Sequence, residues 1–251
     1  MEEENNKNNK KKIIIILAII ILIIVGAIIG IIQANKKEDK CTEQDVPKQG
    51  TNSTEPSNID PSLIIHDMHT DKPIIYLYPT KTTEVTVKLG HPENLTCTYP
   101  KYETEWKVIA NPNGNLTDVK TGRNLYCLYW EGINTVKPTM DEGFIVKGED
   151  TISFLEEKLE ILGLNEREAN EFIIYWLPKL EPNKYNYIRF QKMEQIEENM
   201  PLEITPKPDS IIRIVMEYKA LEEPIEITEQ QLSTPQRTGF TAVEWGGTEL
   251  K

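Results

Sequence analysis

The chain has 251 residues, with 40 acidic residues against 28 Lys and Arg and a formal net charge of −12. Residues 1–40 hold seven Lys and five Asp or Glu, so the rest of the chain carries 21 basic and 35 acidic residues. A nucleic-acid partner requires a basic surface to neutralise phosphates, and this composition argues against one.

The first feature along the chain is an apolar segment at residues 13–32, which has no charged side chain. As a helix it would span about 30 Å, the thickness of a bilayer core. It lacks the polar stripe of a core helix and the cleavage site of a signal peptide. We predict a single-pass transmembrane helix in the cell membrane, with residues 1–12 cytoplasmic and the bulk of the chain extracytoplasmic. Gly26 and Gly30 form a G-x-x-x-G pair, which allows a homodimer.

The segment after the predicted span differs sharply in composition. Residues 33–70 are charged, contain Pro, Ser and Thr, and have few aliphatic side chains. Such a segment buries too little apolar surface to offset its ordering entropy, which predicts a flexible stalk. The remaining residues, 71–251, are numerous enough for one compact domain with its own core.

The first half of this domain is predicted to be a series of short strands. PIIYLYP is rich in β-branched and aromatic residues. As a strand it places Ile75 and Leu77 on one face and Ile74, Tyr76 and Tyr78 on the other. Further strand-like runs follow: TEVTVKLG, NLTCTYP, WKVIA and LYCLYWEG. Short strands joined by turns indicate an antiparallel sandwich or open barrel.

The apolar period then changes from that of strands to that of helices. Asp150 is placed to cap a first helix, and Gly163 to close it in a left-handed turn. Asn165 and Glu168 form a capping box for a second helix, which Pro178 is expected to end. Strand-like runs return afterwards: YNYIRFQ, PLEITP, SIIRIVMEY, PIEI and GFTAVEW. The prediction is therefore an α+β fold, a largely antiparallel β-sandwich-like ectodomain with an inserted helical hairpin.

Four blocks of the sequence carry a resemblance: KPIIYLYP, GFIVKGEDTISFLEEKL, NEFIIYWLP and GFTAVEWGGTE. They resemble recurring blocks of an uncharacterised microbial family whose members are often predicted to be membrane-anchored or lipoprotein-like. The likeness covers about residues 71–249 and implies a shared domain, but no activity. This chain departs from the lipoprotein-type members by relying on a helix in place of an acylated cysteine.

Two Trp–Glu pairs are candidates for catalysis or ligand binding. Glu131 follows Trp130, and Glu244 precedes Trp245, each pair beside a glycine. Two opposed carboxylates with rings for sugar stacking are the minimum of a glycosidase site. The alternative is that the tryptophans fill the core while the glutamates lie at its rim.

Two arginines interrupt apolar strands, Arg189 in YIRFQ and Arg213 in SIIRIVMEY. A buried guanidinium needs a carboxylate partner, for which Glu171, Glu131 and Glu244 are candidates. The arginines can then orient a carboxylate-bearing ligand, form a structural ion pair, or face solvent.

Metal and disulfide chemistry have weaker signals. His66 and His69 are spaced to bind zinc on a helix, but they lie in a short segment between prolines, which favours a solvated loop. Cys97 and Cys127 both fall in strand-like runs, where they can form a disulfide or remain buried thiols. There is no phosphate-binding glycine motif, and we predict no cofactor.

The function expected from these features is that of a membrane-anchored, non-catalytic binding or interaction module at the cell envelope, for a glycan or protein partner. A membrane-tethered glycan hydrolase using Glu131 and Glu244 is the alternative. The tyrosines of PIIYLYP are predicted to be structural, with rings inward and hydroxyls at a polar edge.

Overall fold

A computed structural model describes residues 68–251, all of which belong to one compact unit. The predicted membrane span, nearly all of the predicted stalk and His66 lie outside the described residues. Within residues 68–251, no helix is both long and apolar enough to cross a bilayer.

Thirteen strands and three α-helices make up the described part of the chain. The strands are β1 (His69–Tyr78), β2 (Thr83–Leu89), β3 (Leu95–Tyr99), β4 (Trp106–Ala110), β5 (Leu116–Asp118), β6 (Asn124–Leu125), β7 (Leu128–Ile133), β8 (Glu142–Lys147), β9 (Tyr185–Phe190), β10 (Leu202–Thr205), β11 (Ser210–Leu221), β12 (Thr228–Glu229) and β13 (Thr241–Glu249). The helices are α1 (Thr151–Ile161), α2 (Glu166–Leu180) and α3 (Met193–Asn199).

The strands form two sheets. The large sheet has the order β12-β8-β9-β11-β13-β1-β7-β3, and the small sheet has the order β10-β2-β4-β5-β6. Strand pairs are antiparallel except for β11 with β13 and β12 with β8, which are parallel. The predicted α+β class with mostly antiparallel sheets is therefore confirmed.

Both faces of the large sheet are covered, which gives the domain two apolar cores. In β1, Ile75 and Leu77 pack into the core shared with the small sheet. Ile74 and Tyr76 pack into the core shared with α1 and α2. The alternation predicted for PIIYLYP is confirmed, and successive side chains of this strand serve different layers.

The helical hairpin is confirmed between β8 and β9. Asn165 accepts a hydrogen bond from the Glu168 amide at 3.0 Å, and the Glu168 carboxylate accepts one from the Asn165 amide at 2.9 Å. Gly163 has φ +86° and turns the chain between the helices. Two details differ: Asp150 makes no side-chain cap, and α2 continues two residues past Pro178. A proline in the last turn removes only one helical hydrogen bond, and burial of the following turn maintains the helix.

Several segment boundaries differ from the sequence expectation. LYCLYWEG is not one strand, because its beginning belongs to β6 in the small sheet and its end to β7 in the large sheet. PIEI forms no strand: residues 224–226 are exposed, and Pro224 has no amide to donate to a ladder. β1 begins at His69, inside the predicted stalk, because Thr70 is buried opposite Gly132.

Of the two alternatives left open for Cys97 and Cys127, a disulfide between them is not formed. Cys127 is a free thiol, whereas Cys97 is disulfide-bonded. Cys97 lies opposite Glu131 in the β3–β7 ladder, so Cys127 is four residues away along the neighbouring chain. That separation is about 13 Å, well beyond the roughly 7 Å that a disulfide spans between Cα atoms.

Candidate functional site

Three of the sequence candidates meet in a buried network between the sheets. Arg213 Nε donates to Glu244 Oε2 at 2.6 Å, and Trp130 Nε1 donates to Glu244 Oε1 at 2.8 Å. The same guanidinium donates to Glu197 at 2.6 Å and to the Met200 carbonyl at 2.9 Å. The side chains of Arg213 and Glu244 are 0% and 2% exposed. Both are thus satisfied internally, and this cluster is a structural ion pair.

Arg189 forms a second buried network with a partner that the sequence analysis did not consider. Its Nη1 donates to Glu217 Oε2 at 2.9 Å, and its Nη2 donates to Gln195 Oε1 at 2.8 Å. The β9–β11 register places Arg189 directly opposite Glu217. Trp245 is also buried and donates its Nε1–H to the Tyr76 hydroxyl at 3.2 Å. Neither Arg189 nor Trp245 is therefore open to a ligand.

Glu131 and Glu244 do not face each other. Glu244 points into the core between the sheets, where Trp130 binds it. Glu131 is the next residue after Trp130 in β7 and therefore projects from the opposite face. β7 and β13 lie on either side of β1, so their backbones are two strand spacings, or about 9.6 Å, apart. Because the two glutamate side chains also point to opposite faces of the sheet, their carboxylates are more than about 10 Å apart. Glycosidase pairs are about 5 to 9.5 Å apart.

His69 is an exposed residue of β1, opposite Ile133. From His69 onward, the segment predicted as a solvated loop is a strand, whereas His66, the other half of the proposed zinc pair, lies outside the described residues. Among residues 68–251, no three His, Cys, Asp or Glu side chains are grouped to hold a metal ion.

A different set of side chains forms a candidate site on the helix-covered side of the large sheet. It lies where α2 meets β1 and the chain around β7, and all its members are at least partly exposed. We call this set the tyrosine surface: Tyr126, Tyr129 and Tyr175 with Lys72, Arg167 and Lys179.

Lys72 is at the centre of the tyrosine surface. Its Nζ lies 5.3 Å from the ring centroid of Tyr129, on β7, and 5.5 Å from that of Tyr175, on α2. Cations at this distance are attracted to the electron-rich ring face. The register of β1 against both neighbours shifts between Asp71 and Ile74, which is a bulge that redirects the chain here.

The backbone at Lys72 is strained. Its φ of +60° makes it the one non-glycine residue of positive φ within 68–251. The left-handed conformation costs an L-residue about 1 to 2 kcal/mol. The neighbouring strand accommodates the bulge at Gly246, where a Cβ would lie 3.0 Å from Pro73 and 3.2 Å from the Asp71 carbonyl.

The other end of the tyrosine surface is held by Glu171 of α2. Arg167 lies over the Tyr126 ring, 4.7 Å from its centroid, and donates to Glu171 Oε1 at 3.0 Å. Glu171 Oε2 accepts the Tyr76 hydroxyl at 2.7 Å. Tyr76 is buried with its hydroxyl at this polar edge, as the sequence predicted. Tyr76 therefore fixes the position of Glu171 from the core side of the surface.

The tyrosine hydroxyls of the surface and the neighbouring Cys127 thiol stay protonated at neutral pH. Burial raises the pKa of Tyr129, as do its hydrogen bond to Glu131 and the charge of that carboxylate. Burial also raises the pKa of Tyr175. The neighbouring Cys127 thiol has its pKa raised to about 12, chiefly by burial and also by the charge of Glu171. The site thus presents neutral rings and hydroxyl donors, and Cys127 is no thiolate nucleophile.

Sequence reasoning did not identify Tyr126, Tyr129, Tyr175 or Lys72. The available signal was weak: two tyrosines of NLYCLYW three residues apart, and a lysine before PIIYLYP. Only the fold shows that β1, β7 and α2 bring these side chains together.

Comparison with known proteins finds no matching family model, no matching curated protein and no matching solved structure. The resemblance of the four sequence blocks to a microbial family stays a prediction.

Proposed function

We propose that residues 68–251 form a non-catalytic binding module of the cell envelope, which contacts its ligand through the tyrosine surface. In this proposal, the predicted transmembrane helix at 13–32 anchors the module and the predicted stalk holds it away from the bilayer.

The observation that carries the proposal is the conformation of Lys72. A strained backbone persists only where the surrounding structure imposes it, and such residues are concentrated at functional sites. Here the strain places a cation between two tyrosine rings at the protein surface. A glycine would adopt the same backbone conformation without strain. The lysine is therefore explained by what its side chain contributes to the surface, not by the backbone conformation.

Envelope glycan is the ligand class that this chemistry supports first. Half-exposed tyrosine rings offer flat apolar faces for the C–H face of a sugar, and their hydroxyls offer hydrogen bonds. Asp71 and Glu131 lie beside the rings and add acceptors for sugar hydroxyls: the Lys72 amide donates to Glu131 at 3.4 Å, and Asp71 pairs with Lys179 at 3.3 Å.

A protein partner is the second candidate, and one residue favours it. Ile174 of α2 is 74% exposed and precedes Tyr175 in the helix. Tyr and Arg are enriched at protein interfaces, and an exposed aliphatic residue beside them extends the apolar contact area.

The glycan hydrolase reading receives no support from the geometry of its proposed pair. Glu131 and Glu244 project from opposite faces of the large sheet, and Glu244 is already bound by Arg213 and Trp130.

Co-sedimentation of the full-length, detergent-solubilised chain with isolated envelopes of the source cell tests the proposal. Replacing two rings, Tyr126→Ala with Tyr175→Ala, should weaken binding at least about tenfold, as expected for aromatic contact residues. Tyr99→Ala is the matched control, because Tyr99 is 50% exposed on β3 and Tyr126 is 43% exposed. Protease treatment of the envelopes separates the ligand classes, since only a glycan survives it. Equal binding by the double variant and the control would overturn the proposal.

A further inference from the structure

The opposite edge of the large sheet contains a groove of about 1000 Å³. One wall is β8, which β12 covers only at Glu142 and Gly143; the second is α1, and the third is the segment 224–229, which follows β11 and includes β12. In the order of the large sheet, β8 and β7 are five strand spacings apart, or about 24 Å. The groove is therefore separate from the tyrosine surface.

The backbone of β8 exposes hydrogen-bonding groups to this groove. On the side facing β9, the Gly148 amide donates a hydrogen bond to the Lys184 carbonyl. On the outer side, the Gly143 carbonyl accepts a hydrogen bond from the Gln230 amide. Backbone groups of successive strand residues point to alternate sides. The amide and carbonyl of Ile145 thus point outward with those of Gly143, away from β9.

The third wall does not fill the outer side of β8. β12 pairs with β8 only at Glu142 and Gly143. Among the backbone hydrogen bonds of residues 68–251, none joins the segment 222–227 to Ile145. The groove is lined by Ile145 on one side and by Pro224, Ile225 and Ile227 on the other, so an open slot separates this segment from the strand.

The groove combines apolar surface with a negative charge. Phe144, Phe154 and Ile225 supply apolar contacts. Its charged lining comprises two lysines and four carboxylates: Lys147, Lys158, Asp150, Glu157, Glu226 and Glu229. Both lysines are already paired, because Lys158 Nζ lies 2.8 Å from Glu157 and Lys147 Nζ lies 3.5 Å from Glu149. The excess of carboxylates favours a cationic ligand.

We propose that this groove binds an extended peptide bearing Lys or Arg, which adds as a strand to β8. Unpaired, outward-facing backbone groups on an edge strand are matched by another extended backbone. The slot beside Ile145 gives that backbone room, the apolar walls take alternate side chains, and the carboxylates take the basic ones.

A synthetic peptide of alternating Val and Lys, eight residues long and capped at both ends, is the probe. Its binding to the full-length chain in detergent is measured by fluorescence anisotropy. In an added strand, every second peptide amide points towards β8, and the amides between them point away from it. N-methylation of the amides that point towards β8 should weaken binding at least tenfold, whereas N-methylation of those that point away should weaken it less than threefold. A Val–Glu peptide of the same length should bind at least tenfold more weakly than the Val–Lys peptide. Absence of binding by the unmethylated Val–Lys peptide, or equal effects of the two methylated sets, would overturn the proposal.

A variant pair isolates the backbone contact at Ile145. Ile145→Pro removes the outward amide without removing a bond to β9, and Ile145→Ala keeps the amide. Only the proline variant should lose peptide binding by tenfold or more. Hydrogen exchange on the wild-type chain provides a measurement that needs no variant: bound peptide should slow exchange of the Ile145 amide. Unchanged exchange at saturating peptide would contradict strand addition.

Discussion

The buried network around Glu244 makes a sharp prediction for stability. In Glu244→Ala, Arg213 keeps its charge in the core but loses the partner at 2.6 Å, and the Trp130 indole N–H loses its acceptor. Glu197, which is 45% exposed, remains as the other carboxylate partner of Arg213. The variant thus creates an incompletely compensated buried cation.

The expected cost follows from that arrangement. Removing one partner of a buried ion pair costs about 3 to 5 kcal/mol, because the other charge is left desolvated. A domain of this size changes its melting temperature by about 2 to 4 °C for each kcal/mol, so a loss of 4 kcal/mol corresponds to about 8 to 16 °C. Replacing both partners, Arg213→Leu with Glu244→Leu, should recover most of the loss, since no buried charge then remains.

Tryptophan fluorescence during thermal and urea unfolding is a suitable assay. All four tryptophans lie within residues 68–251 and are buried, so the signal reports this unit even in the full-length chain. Glu197→Ala is the matched control and should cost less than about 1 kcal/mol, because that carboxylate is partly solvated. A loss below about 1 kcal/mol for Glu244→Ala would refute the account of the network.

Three other variants or measurements test further parts of the structure. In urea unfolding, Lys72→Gly should be more stable than Lys72→Ala by about 1 kcal/mol, because glycine tolerates positive φ. Both variants should nevertheless bind envelopes more weakly than the wild-type chain, because both lack the lysine side chain. Gly247→Ala should lower the free energy of unfolding by about 1 to 3 kcal/mol, since its Cβ would lie 2.6 Å from the Trp176 ring; equal stability would show that this contact relaxes freely. Burial raises the pKa of Cys127 to about 12, well above the value of 9.0 for a solvated cysteine. The stabilisation linked to its thiol is therefore complete below pH 9 and is lost as the pH rises towards 12. Iodoacetamide at pH 9 should accordingly label Cys127 at least about tenfold more slowly in the folded chain than in urea.

The local elements were the most predictable part of the fold. The alternation of PIIYLYP and the capping box at Asn165 and Glu168 depend on neighbours within a few residues, and both are confirmed. The exposed PIEI segment shows the limit of such reasoning. Its β-branched residues favour a strand, but the segment does not pair with the neighbouring β8, and Pro224 has no amide to donate.

The site depended on pairings that a single sequence does not contain. Arg213 was correctly given Glu244 as one candidate partner, whereas Arg189 pairs with Glu217, because the β9–β11 register decides it. The choice between a Cys97–Cys127 disulfide and two separate cysteines stayed open for the same reason, since only the β3–β7 register places Cys97 beside Glu131. Strand register is set by the whole core, so long-range pairs cannot be read from strand propensity alone.

The proposal that the tyrosine surface is the contact surface is tested most directly by tyrosine footprinting. The full-length chain is nitrated with tetranitromethane, alone and bound to isolated envelopes, and the modified tyrosines are quantified by mass spectrometry. The account predicts that bound envelope protects Tyr126 and Tyr175 several-fold while Tyr99 is modified as before. Protection of Tyr99 with unchanged modification of Tyr126 and Tyr175 would contradict it.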